Sequence, residues 1–247
     1  MEKDKRRGAS RIRKLYIAKL IGRCMILCIS FFLCWKKKEV FGMMHNFMGE
    51  FSPLHLLWII WLIDMGCQLV PVKDRIALGS QKLFEQRFKP IRDKINSQAL
   101  RTYIINTTKA AYKIFIIWTI LIAFLGFLYY QGIIGDVFLL MTSIVFYVCD
   151  LICVLIWCPF RLIMKNKCCT TCRIFNWDHL MMFTPLIFVK GFYARSLFLL
   201  SIAVWLAWEI AVMLYPERFW EFSNEALKCV NCTDKLCTQY CQKLRKK

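Results

Sequence analysis

The sequence predicts an all-α, polytopic integral membrane protein: a helical bundle of about six membrane segments, with both termini in the cytosol. Of the 247 residues, 58% are hydrophobic, and the mean hydropathy is +0.46. The chain has 35 Lys and Arg but only 16 Asp and Glu, and the basic residues lie mostly between long apolar runs. A nucleic-acid-binding domain would gather its basic residues on one soluble face, and a disordered chain would have few aromatic residues. The sequence therefore argues against both classes.

Four segments are apolar over about the length that a membrane helix needs, which is ~20 residues. The hydrocarbon interior offers no partner for unpaired backbone groups, so we expect each segment to cross as a helix. They are Leu54–Pro71, Tyr112–Tyr130, Ile133–Cys158 and Arg195–Tyr215.

Two further segments are less regular. Leu15–Trp35 contains Lys19 and Arg23 below a short apolar run; long basic side chains can reach the headgroups, so it is compatible with a membrane helix. A cleaved signal peptide is the alternative, but no A-x-A-like site follows. His179–Val189 is short and contains Pro185, which predicts either a broken membrane helix or a re-entrant segment.

The basic residues predict the orientation, because short loops rich in Lys and Arg stay in the cytosol. Seven lie before Leu15, ten in the connector from Val72 to Lys113, four in 161–173, and seven after Tyr215. Six crossings place all four regions on one side, and only the lysines at 36–38 fit poorly. In a bacterium the membrane would be the plasma membrane.

This organisation divides the chain into seven regions. They are a basic N-terminus (1–14), two membrane segments (15–71), a basic connector (72–111), a membrane hairpin (112–158), a cytosolic loop (159–178), a second hairpin (179–215) and a Cys-rich basic tail (216–247).

The connector has the pattern of an amphipathic helix over residues 81–97. Phe84, Phe88, Ile91 and Ile95 recur at helical spacing. Basic side chains fill other positions, which predicts a helix lying on anionic lipid headgroups. The alternative is a helix packed on the cytosolic ends of the bundle, and a protein partner is also compatible with the basic surface. The predicted lipid-surface residues are Lys82, Arg87, Lys89, Arg92 and Lys94.

The chain has 14 cysteines, and four of them form two C-x-x-C pairs: Cys169 with Cys172, and Cys229 with Cys232. This spacing lets both sulfurs face one ion, and two pairs can complete a tetrahedral thiolate site. The predicted hairpin between the pairs would return them to one surface. The sequence therefore predicts a zinc site that fixes the tail to the bundle.

Other uses of these thiols remain open. Cys168, Cys237 and Cys241 are alternative ligands, and the tail alone could form a site with Cys229 and Cys232. An iron–sulfur cluster is the second choice of cofactor, although the familiar C-x2-C-x2-C run is absent. Redox-active thiols and unliganded thiols are further alternatives.

Three acidic residues lie within predicted membrane helices: Asp64, Asp150 and Glu209. A charge in the bilayer is costly, so such residues usually face a charged partner or a wet cavity. The sequence predicts that they converge on a polar site for a cation or a proton. The alternative is that Asp64 and Glu209 lie near the interface or pair with Lys19, Arg23 or Lys113.

The sequence contains no signature of a soluble enzyme such as G-x-S-x-G, H-E-x-x-H or a P-loop. The leading hypothesis is a membrane protein that handles an ion or small solute through its intramembrane acids, stabilised by the cysteine site. A membrane thiol oxidoreductase or electron-transfer subunit that uses the C-x-x-C pairs is the enzymatic alternative, and a non-catalytic accessory subunit is the third.

Overall fold

The computed structural model of the chain describes residues 10–36, 41, 47, 49, 51–72, 74–91, 95–166 and 168–236. These residues form helices joined by turns and contain no β-strand; one isolated bridge pairs Pro90 with Asn224. The predicted all-α fold class is confirmed.

Four helices are long and apolar enough to cross a membrane: Arg11–Lys36, Ser97–Tyr130, Asp136–Leu155 and Phe192–Leu214. A fifth, Pro53–Leu69, is apolar but has 17 residues. This supports an integral membrane protein. The helices are α1 (Arg11–Lys36), α2 (Pro53–Leu69), α3 (Leu78–Gln81), α4 (Ser97–Tyr130), α5 (Asp136–Leu155), α6 (Phe160–Met164), α7 (Asp178–Phe183) and α8 (Phe192–Leu214).

The Pro-containing segment lies inside the bundle as a short helix in two parts. Helix α7 is followed directly by a 3-10 helix, Thr184–Phe188, in which Pro185 lacks the N–H that an α-helix would use. The 3-10 turns rise ~2.0 Å per residue against ~1.5 Å in an α-helix, so they lengthen the segment. Its end reaches the last turn of α4, where Phe188 packs beside Tyr129 and against Gly126.

The start of α1, the connector and the tail meet at one end of the bundle. The Ser10 hydroxyl donates to the carbonyl of Asp234, and the backbone N–H of Leu78 donates to the Asp234 carboxylate at 2.7 Å. The N–H of Glu225 donates to the carbonyl of Lys89 at 2.8 Å. Three segments that the sequence predicts to be cytosolic are therefore in mutual contact.

The predicted amphipathic helix over residues 81–97 is wrong. Helix α3 ends at Gln81, a single 3-10 turn covers Glu85–Arg87, and α4 begins only at Ser97. Pro90 has no N–H to donate within a helix. The backbone on either side of it pairs with the tail instead, including a bond from the Ile91 N–H to the Ser223 carbonyl at 3.2 Å.

The lipid-surface assignment is also wrong for Lys82, whose side chain is fully buried. Its Nζ donates to the carbonyls of Thr170 and Cys172, each at 2.9 Å, and burial lowers the pKa of Lys82 to about 7. Arg87 is half-buried and Lys89 is exposed. Arg92 and Lys94 lie outside the described residues. Lys82 thus holds the C-x-x-C loop against the connector rather than binding lipid.

Candidate functional site

Two of the three predicted intramembrane acids meet at Arg23 of α1. Its Nη1 lies 2.6 Å from Oδ2 of Asp150, and its Nη2 lies 2.8 Å from Oδ2 of Asp64. The guanidinium is only 7% exposed, and the two carboxylates are 18% and 16% exposed. Arg23 therefore links α1, α2 and α5 through charge-assisted hydrogen bonds, which are the strong kind.

Tyr147 and Lys19 complete the environment of this ion pair. The Tyr147 carbonyl accepts from Arg23 Nη1 at 2.7 Å, and the guanidinium lies 3.8 Å from the centre of the Tyr147 ring. Both the Tyr147 hydroxyl and Lys19 Nζ lie 3.3 Å from the carboxylate of Asp64. The Lys19 side chain is 36% exposed, so the cluster reaches the surface of the bundle there.

A carboxylate and an imidazole, those of Asp178 and His179, border the same region at the start of α7. Asp178 accepts a hydrogen bond from Gln68 of α2 at 3.0 Å, and its other oxygen lies 3.3 Å from His179 Nδ1. His179 is buried, and neither of its ring nitrogens forms a hydrogen bond with a described residue, so its contact with Asp178 is one of distance and charge. The Oε1 atom of Gln68 is likewise buried and unpartnered within the described part of the chain.

A cavity of about 40 Å³ lies between these groups. Its lining includes Asp64 and Asp150, and also Asp178 and His179. A water molecule needs ~10–15 Å³ of such space and two or more polar partners. The unpartnered atoms of Gln68 and His179 supply polar partners. The cavity therefore suits water, which can carry a proton between the side chains.

The formal charges in this cluster do not cancel. Among the residues that the structure describes, two cations from α1 face three carboxyl groups, which leaves one formal negative charge in excess while His179 is neutral. An uncompensated buried charge is costly, especially in a bundle surrounded by lipid. Protonation of His179, or of one carboxyl, would bring the cluster to neutrality.

Glu209, the third predicted acid, lies in a separate cluster. Arg173 contacts both of its carboxylate oxygens, at 2.8 and 2.5 Å, and Trp177 Nε1 donates to it at 2.8 Å. Trp208, the residue before Glu209, donates from its indole N–H to the Arg173 carbonyl at 2.9 Å. Glu209 therefore anchors the 173–177 loop to α8 and does not join the other acids.

The predicted metal site gains no support from the structure. Among the described residues, no three His, Cys, Asp or Glu side chains are arranged to hold a metal ion. Cys237 and Cys241 lie outside the described residues. Zinc and iron–sulfur binding thus stay predictions for Cys169, Cys172, Cys229 and Cys232, with Cys168 as an alternative ligand.

The sequence patterns assign no site to Gln68, Tyr147, Asp178 or His179. A signal for two of them is present, because polar residues follow helical spacing within apolar segments. Asp64 and Gln68 are four residues apart, and Tyr147 precedes Asp150 by three, so each pair shares a helix face. No comparable signal identifies His179, which is adjacent to Asp178 in a short segment.

No protein family model, curated protein or solved structure matches this chain.

Proposed function

We propose that the chain crosses the membrane six times, with both termini in the cytosol. The first turn of α1 and the tail contact each other through Ser10 and Asp234, which favours an even number of crossings. The segment 178–188 then supplies the sixth crossing, because it runs from the Asp64–Asp150 region to the last turn of α4. The predominance of basic residues in the regions that meet at the Ser10 end favours the cytosol for that end.

We further propose that the protein carries protons through the cluster around Arg23, with Asp178 and His179 as the exchanging pair. The observation that carries this proposal is the meeting of three carboxyl groups with two cations among the described residues, beside a buried histidine whose ring nitrogens form no hydrogen bond there. Histidine accepts and releases protons near neutral pH. The other titratable or charged groups that line the cavity are Tyr16, Lys19, Arg23, Asp64, Cys67 and Asp150.

A proton fits this site better than a metal cation or an organic solute. Arg23 and Lys19 already contact both oxygens of Asp64, so a cation would compete with two fixed positive charges. A cavity of about 40 Å³ holds water but no organic solute. A proton on His179 needs no added volume, and Asp178 lies within 3.3 Å to stabilise it.

Proton flux into liposomes tests this function. The liposomes carry a pH-sensitive dye, and valinomycin sets a potassium diffusion potential. The reconstituted protein should acidify the lumen when the inside is negative and alkalinise it when the inside is positive. We expect His179→Gln and Asp178→Asn to reduce the flux to that of protein-free liposomes, because each removes one member of the exchanging pair.

Asp136→Asn is the matched control. Asp136 lies at the first turn of α5, far along that helix from Asp150, so its variant should keep the wild-type flux. Each variant is first checked for a monodisperse peak in detergent. Wild-type protein that conducts no faster than empty liposomes would reject proton transport, as would full activity of His179→Gln.

A further inference from the structure

A larger cavity of about 240 Å³ lies between α4, α5, α6, the loop from 168 to 175 and α7. Four of these elements each contribute an aromatic ring to its lining: Trp118, Phe146, Phe160 and Phe175. Sites for drug-sized ligands typically measure ~300–1,000 Å³, so this cavity suits a smaller apolar molecule with about two fused rings.

The charges that line this cavity are all negative. Among the residues that the structure describes, Asp150 and Asp178 line it, and no Lys, Arg or His does so, although the chain has 35 Lys and Arg. The two acidic side chains keep 16% and 13% of their surface exposed, so a ligand can reach them. An apolar cleft lined by charges of one sign favours a ligand of the opposite sign.

Asp178 is the acid that lacks a fixed cation. Asp150 is paired with Arg23, whereas Asp178 has no Lys or Arg partner among the described residues. One oxygen of Asp178 accepts from Gln68 at 3.0 Å, and the other lies 3.3 Å from His179 without forming a hydrogen bond. A positive charge on a ligand beside Asp178 would therefore balance a carboxylate that the described part of the chain leaves without a permanent counter-ion.

The aromatic lining can hold the charged end of such a ligand. The indole N–H of Trp118 donates to the Thr184 hydroxyl at 2.9 Å, and the Trp118 ring lies 4.9 Å from that of Phe146 between centroids, so both rings are held in place. Cations are attracted to the faces of aromatic rings, most strongly to tryptophan, and more so where water is excluded. A quaternary ammonium has no N–H group, so it leaves no donor unpaired among apolar side chains.

We propose that this cavity binds an aromatic quaternary ammonium ion that enters from the bilayer. Cys149, on the exposed surface of α5, lines the cavity, so the cavity opens toward the lipid side of that helix. The proposal goes beyond the proton carrier, and binding is measured at equilibrium, without any movement of protons.

Protection of Cys149 from alkylation tests the proposal on the wild-type chain. The reduced protein in detergent is treated with N-ethylmaleimide at increasing concentrations of naphthyltrimethylammonium, and labelling is followed by peptide mass mapping. We expect the labelling of Cys149 to slow saturably. Cys28 is the internal control, because it is also exposed but does not line the cavity, and it should keep its rate.

A neutral molecule of the same shape separates charge from hydrophobicity. In tert-butylnaphthalene a carbon atom takes the place of the ammonium nitrogen. Half-protection of Cys149 should need about tenfold more of it, because it gains nothing from Asp178 or from the ring faces. Equal protection by both compounds would overturn the proposal in favour of an unselective apolar cavity, and no protection by the ammonium ion would overturn it outright.

Variants then assign the binding to the cavity. Asp178→Asn and Trp118→Leu should each raise the ammonium concentration for half-protection by about tenfold, whereas Asp136→Asn, which changes a carboxylate that does not line the cavity, should leave it unchanged. Unchanged protection in Asp178→Asn would contradict the proposal. Protection in wild-type protein that conducts no protons would reject the proton carrier and retain this binding site.

Discussion

Replacing Arg23 with glutamine should lower the free energy of unfolding by about 3–5 kcal/mol. The guanidinium contacts Asp64 and Asp150 and is 7% exposed, so the change leaves two carboxylates without their cation inside a membrane bundle. Glutamine can donate to one of them but cannot neutralise either. Equilibrium unfolding in mixed detergent micelles, with SDS as the denaturant, measures the loss.

Two further variants separate lost charge balance from lost packing. The triple variant Arg23→Gln, Asp64→Asn, Asp150→Asn removes the cation and both carboxylates, so it should recover most of the stability. Arg11→Gln, on the exposed first turn of the same helix, should change stability by less than about 0.5 kcal/mol. Equal stabilities for Arg23→Gln and Arg11→Gln would show that the ion pair does not form.

Replacing Glu209 with glutamine should cost a similar amount, about 3–5 kcal/mol, because Arg173 is buried and loses its only carboxylate partner among the described residues. The amide can accept one bond from Arg173 or Trp177, but its NH2 group would face the guanidinium. The loop from 173 to 177 should therefore loosen from α8. The same SDS unfolding measurement detects the cost.

The rate of thiol labelling at Cys172 shows whether the loop from 173 to 177 loosens. Cys172 is next to Arg173, and burial raises the pKa of its thiol, which slows alkylation in the wild-type protein. We expect Glu209→Gln to speed maleimide labelling of Cys172, while Glu225→Gln on the exposed tail leaves it unchanged. The double variant Arg173→Met, Glu209→Gln should restore part of the stability, since no charge is left unpaired. Unchanged labelling in Glu209→Gln would refute the anchoring role.

The membrane helices were predictable because their signal is local. Long apolar runs predicted α2, α4, α5 and α8, and the interruption at Pro185 follows from its missing N–H. The segment of α1 had the less regular pattern, yet it forms a helix long enough to cross a membrane, whereas α2 has only 17 residues. The two acids Asp64 and Asp150 were also identified, since a carboxylate in such a run needs a partner. Their partner Arg23 appeared in the sequence analysis only as an alternative, because spacing alone does not tell which helices are neighbours.

The connector was predicted less well, and the packing of the C-x-x-C loop was not predicted, for the same reason. Phe84 and Phe88 have helical spacing, yet the backbone around Pro90 pairs with the tail, which the local pattern does not encode. The C-x-x-C loop packs against the end of α5, where Cys153 lies, and a metal site shared with the tail stays a prediction. Both outcomes depend on contacts between residues far apart in the chain.

Nitrogen NMR of the histidine side chains tests the central claim, that the cluster around Arg23 holds an exchangeable proton. The chain has three histidines, so the signal of His179 can be assigned from His45→Gln and His55→Gln. In wild-type protein in nanodiscs, His179 should gain one proton as the pH is lowered. Asp178→Asn should move this protonation to lower pH, because it removes the nearest negative charge. A His179 that stays neutral throughout, or that does not respond to Asp178→Asn, would contradict the account.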